Sequence, residues 1–175
     1  MNDTKCSFTG HRPERFAFGF NENDPKCIAI KGVMAEQIAE LIAGGVTDFY
    51  SGMARGVDQW AAEIVLNTKE SRPDVTLTAV IPHEEQATKW SDEQRDRYFD
   101  MHPKCDDVVT LQTHYTADCM FKRNRYLVDH AGYLLAVSDG DKNGGTAYTL
   151  NYARQHKRKI IIINAVTLEV SREGF

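Results

Sequence analysis

The sequence lacks the features that mark secreted and membrane-spanning proteins. Its four cysteines, Cys6, Cys27, Cys105 and Cys119, form no CxxC pair and are scattered along the chain, which is typical of reduced thiols rather than a disulfide framework. No apolar run approaches the roughly 20 residues of a membrane helix. The first ten residues show no charged-then-apolar signal pattern. These absences predict a cytoplasmic protein that does not bind membranes.

Positive charge is also scarce. The chain has 21 Lys and Arg against 25 Asp and Glu, which gives a net charge of −4 at pH 7. Proteins that bind the phosphate backbone of nucleic acids usually have strongly basic domains. The six histidines show no HxH or HExxH spacing and no cluster with cysteine. The sequence therefore argues against a nucleic-acid partner and predicts no metal site.

Short apolar segments alternate with helical patterns along the whole chain. Strands are predicted over residues 5–9, 46–50, 75–81, 107–111, 133–137 and 159–163. Helices are predicted over residues 25–43, 57–69, 91–101, 117–130 and 146–155. The alternation predicts an α/β, Rossmann-like doubly wound fold, with a mainly parallel sheet of about six strands and helices on both faces. We expect the strand order 3-2-1-4-5-6 of other doubly wound folds and one domain over residues 1–175.

The segment SGMARGVDQWAAEIVL follows the second predicted strand. Its small residues, Ser51, Gly52 and Gly56, would let a ligand approach the backbone closely. Free amides at the start of the following helix favour a phosphate or carboxylate. Arg55 adds a forked cation, and Asp58 either caps the helix or holds a ligand hydroxyl. An ordinary strand-to-helix turn with a capping aspartate explains the same pattern.

Two more loops carry similar residues where predicted strands end. In an open α/β sheet, such loops meet at the ligand-binding edge. The candidate residues in these loops are Thr9, Gly10, His11 and Arg12 after the first strand, and Gly144, Gly145 and Thr146 after the fifth. The imidazole of His11 either binds a phosphate or ribose hydroxyl or holds its own loop in place. Together the three loops predict a ligand that contains phosphate.

Three ordered motifs resemble known families. SGMARGVD resembles the SGLARGID-type motif of DNA-processing protein A, and FKRNRYLVDHAGYLLAV is similar to a block of the same protein. MFKRNRYLVDHAGYLLAVSDGDKNGGTAYTLNYA resembles the MHERK-to-GGxGT block of the Lonely Guy phosphoribohydrolases. With FTGHRPERF near the start, the chain is similar to the YpsA-like branch of the SLOG superfamily over residues 6–163.

The resemblance implies binding or sensing of a nucleotide or nucleotide-derived ligand, of the ADP-ribose or NAD type. The sequence identifies no certain cofactor beyond such a nucleotide or NAD-derived ligand. The resemblance places Arg123 and Asn124 beside that ligand. A planar guanidinium suits a pair of diphosphate oxygens. We expect Arg123 to lie at the rim, so that Arg123→Ala weakens binding and leaves the fold intact.

Two alternatives stay open. A Lonely Guy-type hydrolase of the nucleotide N-glycosidic bond carries a glutamate at the position of Thr149, and a hydroxyl cannot replace that carboxylate. Glu63 and the Glu84-Glu85 pair are the substitutes that the sequence offers. Single-stranded DNA binding, as in DNA-processing protein A, conflicts with the acidic balance of the chain. Whether the chain is an enzyme or a homo-oligomer also stays open.

Overall fold

Strands and helices alternate in the computed structural model, which describes residues 3–175. The strands are β1 Lys5–Gly10, β2 Asp48–Ser51, β3 Thr76–Ile81, β4 Asp107–Thr110, β5 Tyr133–Ser138, β6 Lys159–Asn164 and β7 Val170–Glu173. The helices are α1 Pro25–Ala43, α2 Val57–Lys69, α3 Asp92–Met101, α4 Cys119–Asp129 and α5 Gly144–Gln155. Single 3₁₀ turns follow β1 at Pro13–Arg15 and α3 at His102–Lys104.

The seven strands form one sheet in the order β4-β3-β2-β1-β5-β6-β7. Strands β1 to β6 are parallel to their neighbours, and β7 is antiparallel to β6. The α/β class is therefore confirmed. The predicted order 3-2-1-4-5-6 is wrong, because β4 pairs with β3 and the chain crosses the sheet only afterwards. β7 was not predicted, since an exposed edge strand has no continuous apolar run.

Helices cover both faces of the sheet. Side chains alternate between the two faces along a strand. On β5, Leu135 and Val137 pack in the same apolar cluster as α1 and α2. Leu134 and Ala136 pack with α4 and α5. The α1–α2 pair and the α4–α5 pair therefore lie on opposite faces, as the sequence predicts.

Local signals set the ends of several helices. The Asp24 side chain accepts a hydrogen bond from the Lys26 amide, and Pro25 takes the first helical position of α1. Ser91 and Gln94 form a capping box at the start of α3. These contacts join residues within one turn, so the sequence predicts both starts.

The sheet topology creates a crevice between β1 and β5. From β1 the chain moves outward to β2, whereas from β5 it moves in the opposite direction to β6. In open α/β sheets, ligands bind at such a point, outside the carboxyl ends of the two strands.

Candidate functional site

A cleft of about 340 Å³ opens at the carboxyl ends of β1 and β5. One wall is the loop that follows β1 (residues 11–24, called the β1 loop below). The others are the turn before α2 with the first turn of that helix, the first half of α4, and the N-terminal turn of α5. The candidate residues that line it are Thr9, Gly10, His11, Arg12, Asp58, Arg123, Asn124, Gly144, Gly145 and Thr146. The structure therefore brings the three predicted loops together at one site.

Arg123 forms the buried floor of this cleft, not its rim. Its Nη1 donates to the backbone oxygen of Gly52 at 2.7 Å, and its Nε donates to Asn124 Oδ1 at 2.9 Å. Asp58 Oδ2 lies 3.6 Å from the same Nη1. Only 5% of Arg123 is exposed. The expectation of a rim arginine with little packing is therefore wrong.

Burial shifts the pKa values of this pair in opposite directions, and in both groups it disfavours the charged form. It lowers the pKa of Arg123, and the charge of Asp58 opposes that change. It raises the pKa of Asp58, and Arg123, the Ala54 amide and Arg12 counteract it. An arginine side chain stays protonated in proteins, so the cleft keeps a buried cation beside a carboxyl group whose charge depends on that cation.

The glycines of the predicted phosphate turn pack behind the cleft and do not line it. A Cβ on Gly52 would lie 2.1 Å from Arg123 Nη1. Gly56 has a φ of +90°, and a Cβ there would lie 2.7 Å from the backbone oxygen of His11. Their small size lets the turn pack closely against Arg123 and the β1 loop. This differs from the predicted close approach to a ligand.

Ser51 and Arg55 also lie outside the lining. Ser51 Oγ donates at 2.8 Å to a backbone oxygen in the first turn of α2. Arg55 Nη2 donates to Glu14 Oε1 at 2.6 Å. Its guanidinium lies 5.3 Å from the ring centroid of Phe20 and 5.4 Å from that of Trp90. Contacts with residues distant in sequence hold Arg55 outside the lining of the cleft, where its loop does not predict it to lie.

His11 connects the β1 loop with the loop that follows β5 (residues 139–143, called the β5 loop below). Its Nε2 lies 3.1 Å from both the amide nitrogen and Oδ1 of Asp139, and its Nδ1 lies 3.5 Å from Thr146 Oγ1. Burial lowers the pKa of His11, although Asp139 opposes the shift. The imidazole of His11 therefore holds two loops together and also lines the cleft.

Three arginines and one carboxylate line the described part of the cleft. They are Arg12, Arg15 and Arg123 against Asp58. Arg15 is ion-paired with Asp139 and Asp141, and Arg123 faces Asp58, so Arg12 is the cation without such a partner among residues 3–175. The Arg12 side chain is exposed and makes no hydrogen bond or ion pair within residues 3–175. The N-terminus of α5 has no side-chain cap and no acidic residue in its first turn. Its amides are therefore available to an anion.

Phe121 supplies an apolar wall that the sequence interpretation missed. Phe121 is 40% exposed and lines the cleft with Met120. Its ring contacts Tyr148 edge to face, with centroids 4.6 Å apart. The signal was its position three residues before Asn124, because residues i and i+3 lie on the same face of a helix.

The carboxylates of a hydrolase are not assembled here. Thr149 is fully buried, and its Oγ1 donates to the Gly145 backbone oxygen at 2.8 Å. Glu63 pairs with Arg97 at 2.7 Å, and Glu85 is exposed outside the lining. Asp58 therefore has no partner carboxylate in the described part of this cleft.

Across residues 3–175, no three His, Cys, Asp or Glu side chains gather as metal ligands would. In the same range, no helix is long and apolar enough to cross a membrane. All four cysteines are free thiols.

Comparison with known proteins gives the family. Residues 6–169 match the YspA SLOG family. The chain belongs to that family. Among its relatives, the UPF0398 protein BH1768 of Halalkalibacterium halodurans is 30% identical over 155 residues, which cover 87% of this chain and 82% of the relative. A UPF0398 protein of Bacillus licheniformis is 29% identical, covering 86% and 83%.

A solved structure shares the fold of this YspA SLOG family member. DNA processing protein A from Streptococcus pneumoniae superimposes with a TM-score of 0.63 and 15% sequence identity. The match covers 94% of this chain but only 52% of the other, so the present chain spans about half of it. The expected SLOG resemblance is confirmed, and the family indicates a nucleotide-related role.

Proposed function

We propose that the cleft binds a nucleotide or nucleotide-derived ligand of the ADP-ribose or NAD type through its phosphate groups. The observation that carries the proposal is the grouping of three guanidinium groups around the uncapped N-terminus of α5. Both features attract anions, and they meet where parallel strands diverge.

Each part of such a ligand has a matching wall. Arg12 and the first amides of α5 suit the phosphate oxygens, because charge-assisted hydrogen bonds are stronger than neutral ones. Asp58 can accept a hydrogen bond from a ribose hydroxyl. Phe121 offers an exposed ring against which a base can stack.

Binding or sensing fits these residues better than hydrolysis of an N-glycosidic bond. That reaction uses a pair of carboxyl groups, one of them to activate water or stabilise the sugar cation. Asp58 is the one carboxylate among the described residues that line the cleft, and its side chain already faces the guanidinium of Arg123.

Arg12→Ala tests the proposal by calorimetry with ADP and ADP-ribose. The loss of the Arg12 guanidinium should lower the affinity for both ligands by about ten- to a hundredfold. Because that side chain is exposed and makes no hydrogen bond or ion pair within residues 3–175, the melting temperature should stay unchanged. Arg72→Ala is the matched control, because Arg72 is an exposed arginine that pairs with Asp74 away from the cleft.

Two results would contradict the proposal. Equal affinities of the native protein and Arg12→Ala for ADP and ADP-ribose would rule out the proposed phosphate site. Rapid release of free base from a nucleoside monophosphate would instead favour the hydrolase.

A further inference from the structure

A second cleft of about 440 Å³ lies beside the first, on the other side of the β1 loop. Its walls are the β1 loop, the first turn of α1 and the chain that follows β6. The residues that matter here are Phe16, Phe18, Val166 and Leu168, together with His11 and Arg15, which line both clefts.

The second cleft is largely apolar and accessible. Phe16 and Phe18 stack with ring centroids 4.9 Å apart, and both are partly exposed. Val166 is 78% exposed. Apolar surface of this kind beside a charged cleft marks binding sites in other proteins, which combine apolar walls with a few placed polar groups.

The two clefts lie on opposite sides of the carboxyl edge of the sheet. The first is bounded by α4, α5 and the first turn of α2, and the second by α1. Helices α4 and α5 cover the face of the sheet opposite to α1. A ligand that occupies both must therefore cross the edge of the sheet above β1 and β5, where dinucleotides lie in doubly wound folds.

Arg15 occupies the crossing point. Its Nε donates to Asp139 Oδ2 at 2.8 Å, and its Nη2 donates to Asp141 Oδ2 at 2.5 Å. These contacts fix an exposed guanidinium between the clefts. Asp139 and Asp141 hold this cation in position and offset its charge, but its Nη1 donates to no residue among 3–175. A diphosphate that passes over Arg15 can therefore accept a hydrogen bond from Nη1.

We propose that the two clefts form one bipartite site for a dinucleoside diphosphate. One nucleoside occupies the first cleft, the diphosphate crosses at Arg15, and the second base stacks in the second cleft. The inference rests on the proposed nucleotide function and adds the location of the second ring.

The test compares ADP-ribose with diadenosine diphosphate by calorimetry. The two probes share adenosine, the diphosphate and the second ribose, and they differ in the second adenine. Because stacking one base on aromatic side chains is worth about a factor of ten, diadenosine diphosphate should bind about tenfold more tightly than ADP-ribose to the native protein.

Substitutions at two neighbouring residues of α1 show whether the tighter binding of diadenosine diphosphate arises in the second cleft. Ala29→Gln fills the second cleft with a neutral side chain, because Ala29 lines it. The variant should abolish the advantage of diadenosine diphosphate and leave the affinity for ADP-ribose unchanged. Ile28→Gln is the control, since Ile28 is 57% exposed and lies outside the lining, and it should alter neither affinity.

The outcomes separate the two proposals. If ADP-ribose binds in an Arg12-dependent way but both probes bind equally, the second cleft is excluded and the first stands. A loss of both affinities in Ala29→Gln would also overturn the second site. If neither probe binds the native protein, the nucleotide proposal itself fails, and the bipartite site with it.

Discussion

At the scale of single residues, Arg123 connects the parts of the site. It donates to the turn before α2 through Gly52, faces Asp58 on α2 and belongs to α4. The sequence motif correctly placed it beside the cleft. Its burial makes it part of the folded core as well, and this changes what its substitution should do.

Arg123→Ala should lower the free energy of unfolding by about 3–5 kcal/mol, because Asp58 would be left buried without its cation. Urea unfolding measures the change. Lys122→Ala is the matched control on the same helix, since Lys122 is exposed and pairs only with Asp118 on the surface. That control should change stability by less than about 1 kcal/mol.

A double variant shows whether the cost arises from the pair. Arg123→Met combined with Asp58→Asn removes both charges, so it should be less destabilised than Arg123→Ala alone. Native-like stability of Arg123→Ala would mean that the pair is not buried as described.

At the scale of elements, a charged network ties α1, α2 and α3 together. Glu22, which precedes α1, accepts hydrogen bonds from Arg97 on α3 and from Lys31 on α1. Arg97 also donates to Glu63 on α2, with Nε 2.7 Å from Oε1. These contacts hold the segment that follows the β1 loop against two helices.

This network predicts a pH dependence of stability. Burial acts to raise the pKa of Glu22, but the hydrogen bonds from Arg97 and Lys31 outweigh it and lower that pKa from 4.5 to about 2. A carboxyl group with a lowered pKa in the folded state stabilises the fold above its unfolded pKa. The stabilisation should therefore be lost as the pH falls from about 4.5 to 2.

Thermal unfolding across that pH range checks the prediction. Glu22→Gln should flatten the fall in melting temperature relative to the native chain. Glu36→Gln, at an exposed position of α1, is the control and should keep the native slope. A native slope in Glu22→Gln would show that other carboxyl groups cause the acid sensitivity.

At the scale of the whole molecule, a positive cleft lies in a chain of net charge −4. Local cations attract a small anion, whereas binding along a nucleic-acid backbone needs cations spread over a longer path. Affinity for ADP should therefore fall with rising salt, because screening weakens the guanidinium contacts.

An oligonucleotide measurement separates the two kinds of ligand. At about 0.15 M salt, where the Debye length is about 8 Å, a labelled oligothymidylate should show no saturable binding by fluorescence anisotropy. ADP should bind under the same conditions. Saturable oligonucleotide binding that ADP displaces would favour a nucleic-acid function for the cleft.

The sequence by itself determined the α/β class, several helix ends and which loop residues meet at the carboxyl edge of the sheet. Apolar periodicity reports which segments are buried strands or one-sided helices. Caps such as Asp24 and Ser91 act within one turn. Loop residues such as Gly10 and Thr146 follow strand ends, and parallel strands bring those ends to one edge. All of these relations depend on residues close together in the chain.

Only the tertiary structure decided the strand order, the roles within the turn before α2 and the partner of each charge. β4 pairs with β3 through contacts that no local pattern encodes. Arg55 is held away from the cleft by Glu14 and two aromatic rings, while Arg123 is buried beside Asp58. Burial and pairing of a charge depend on which distant segments pack around it, and their free energies come from that packing.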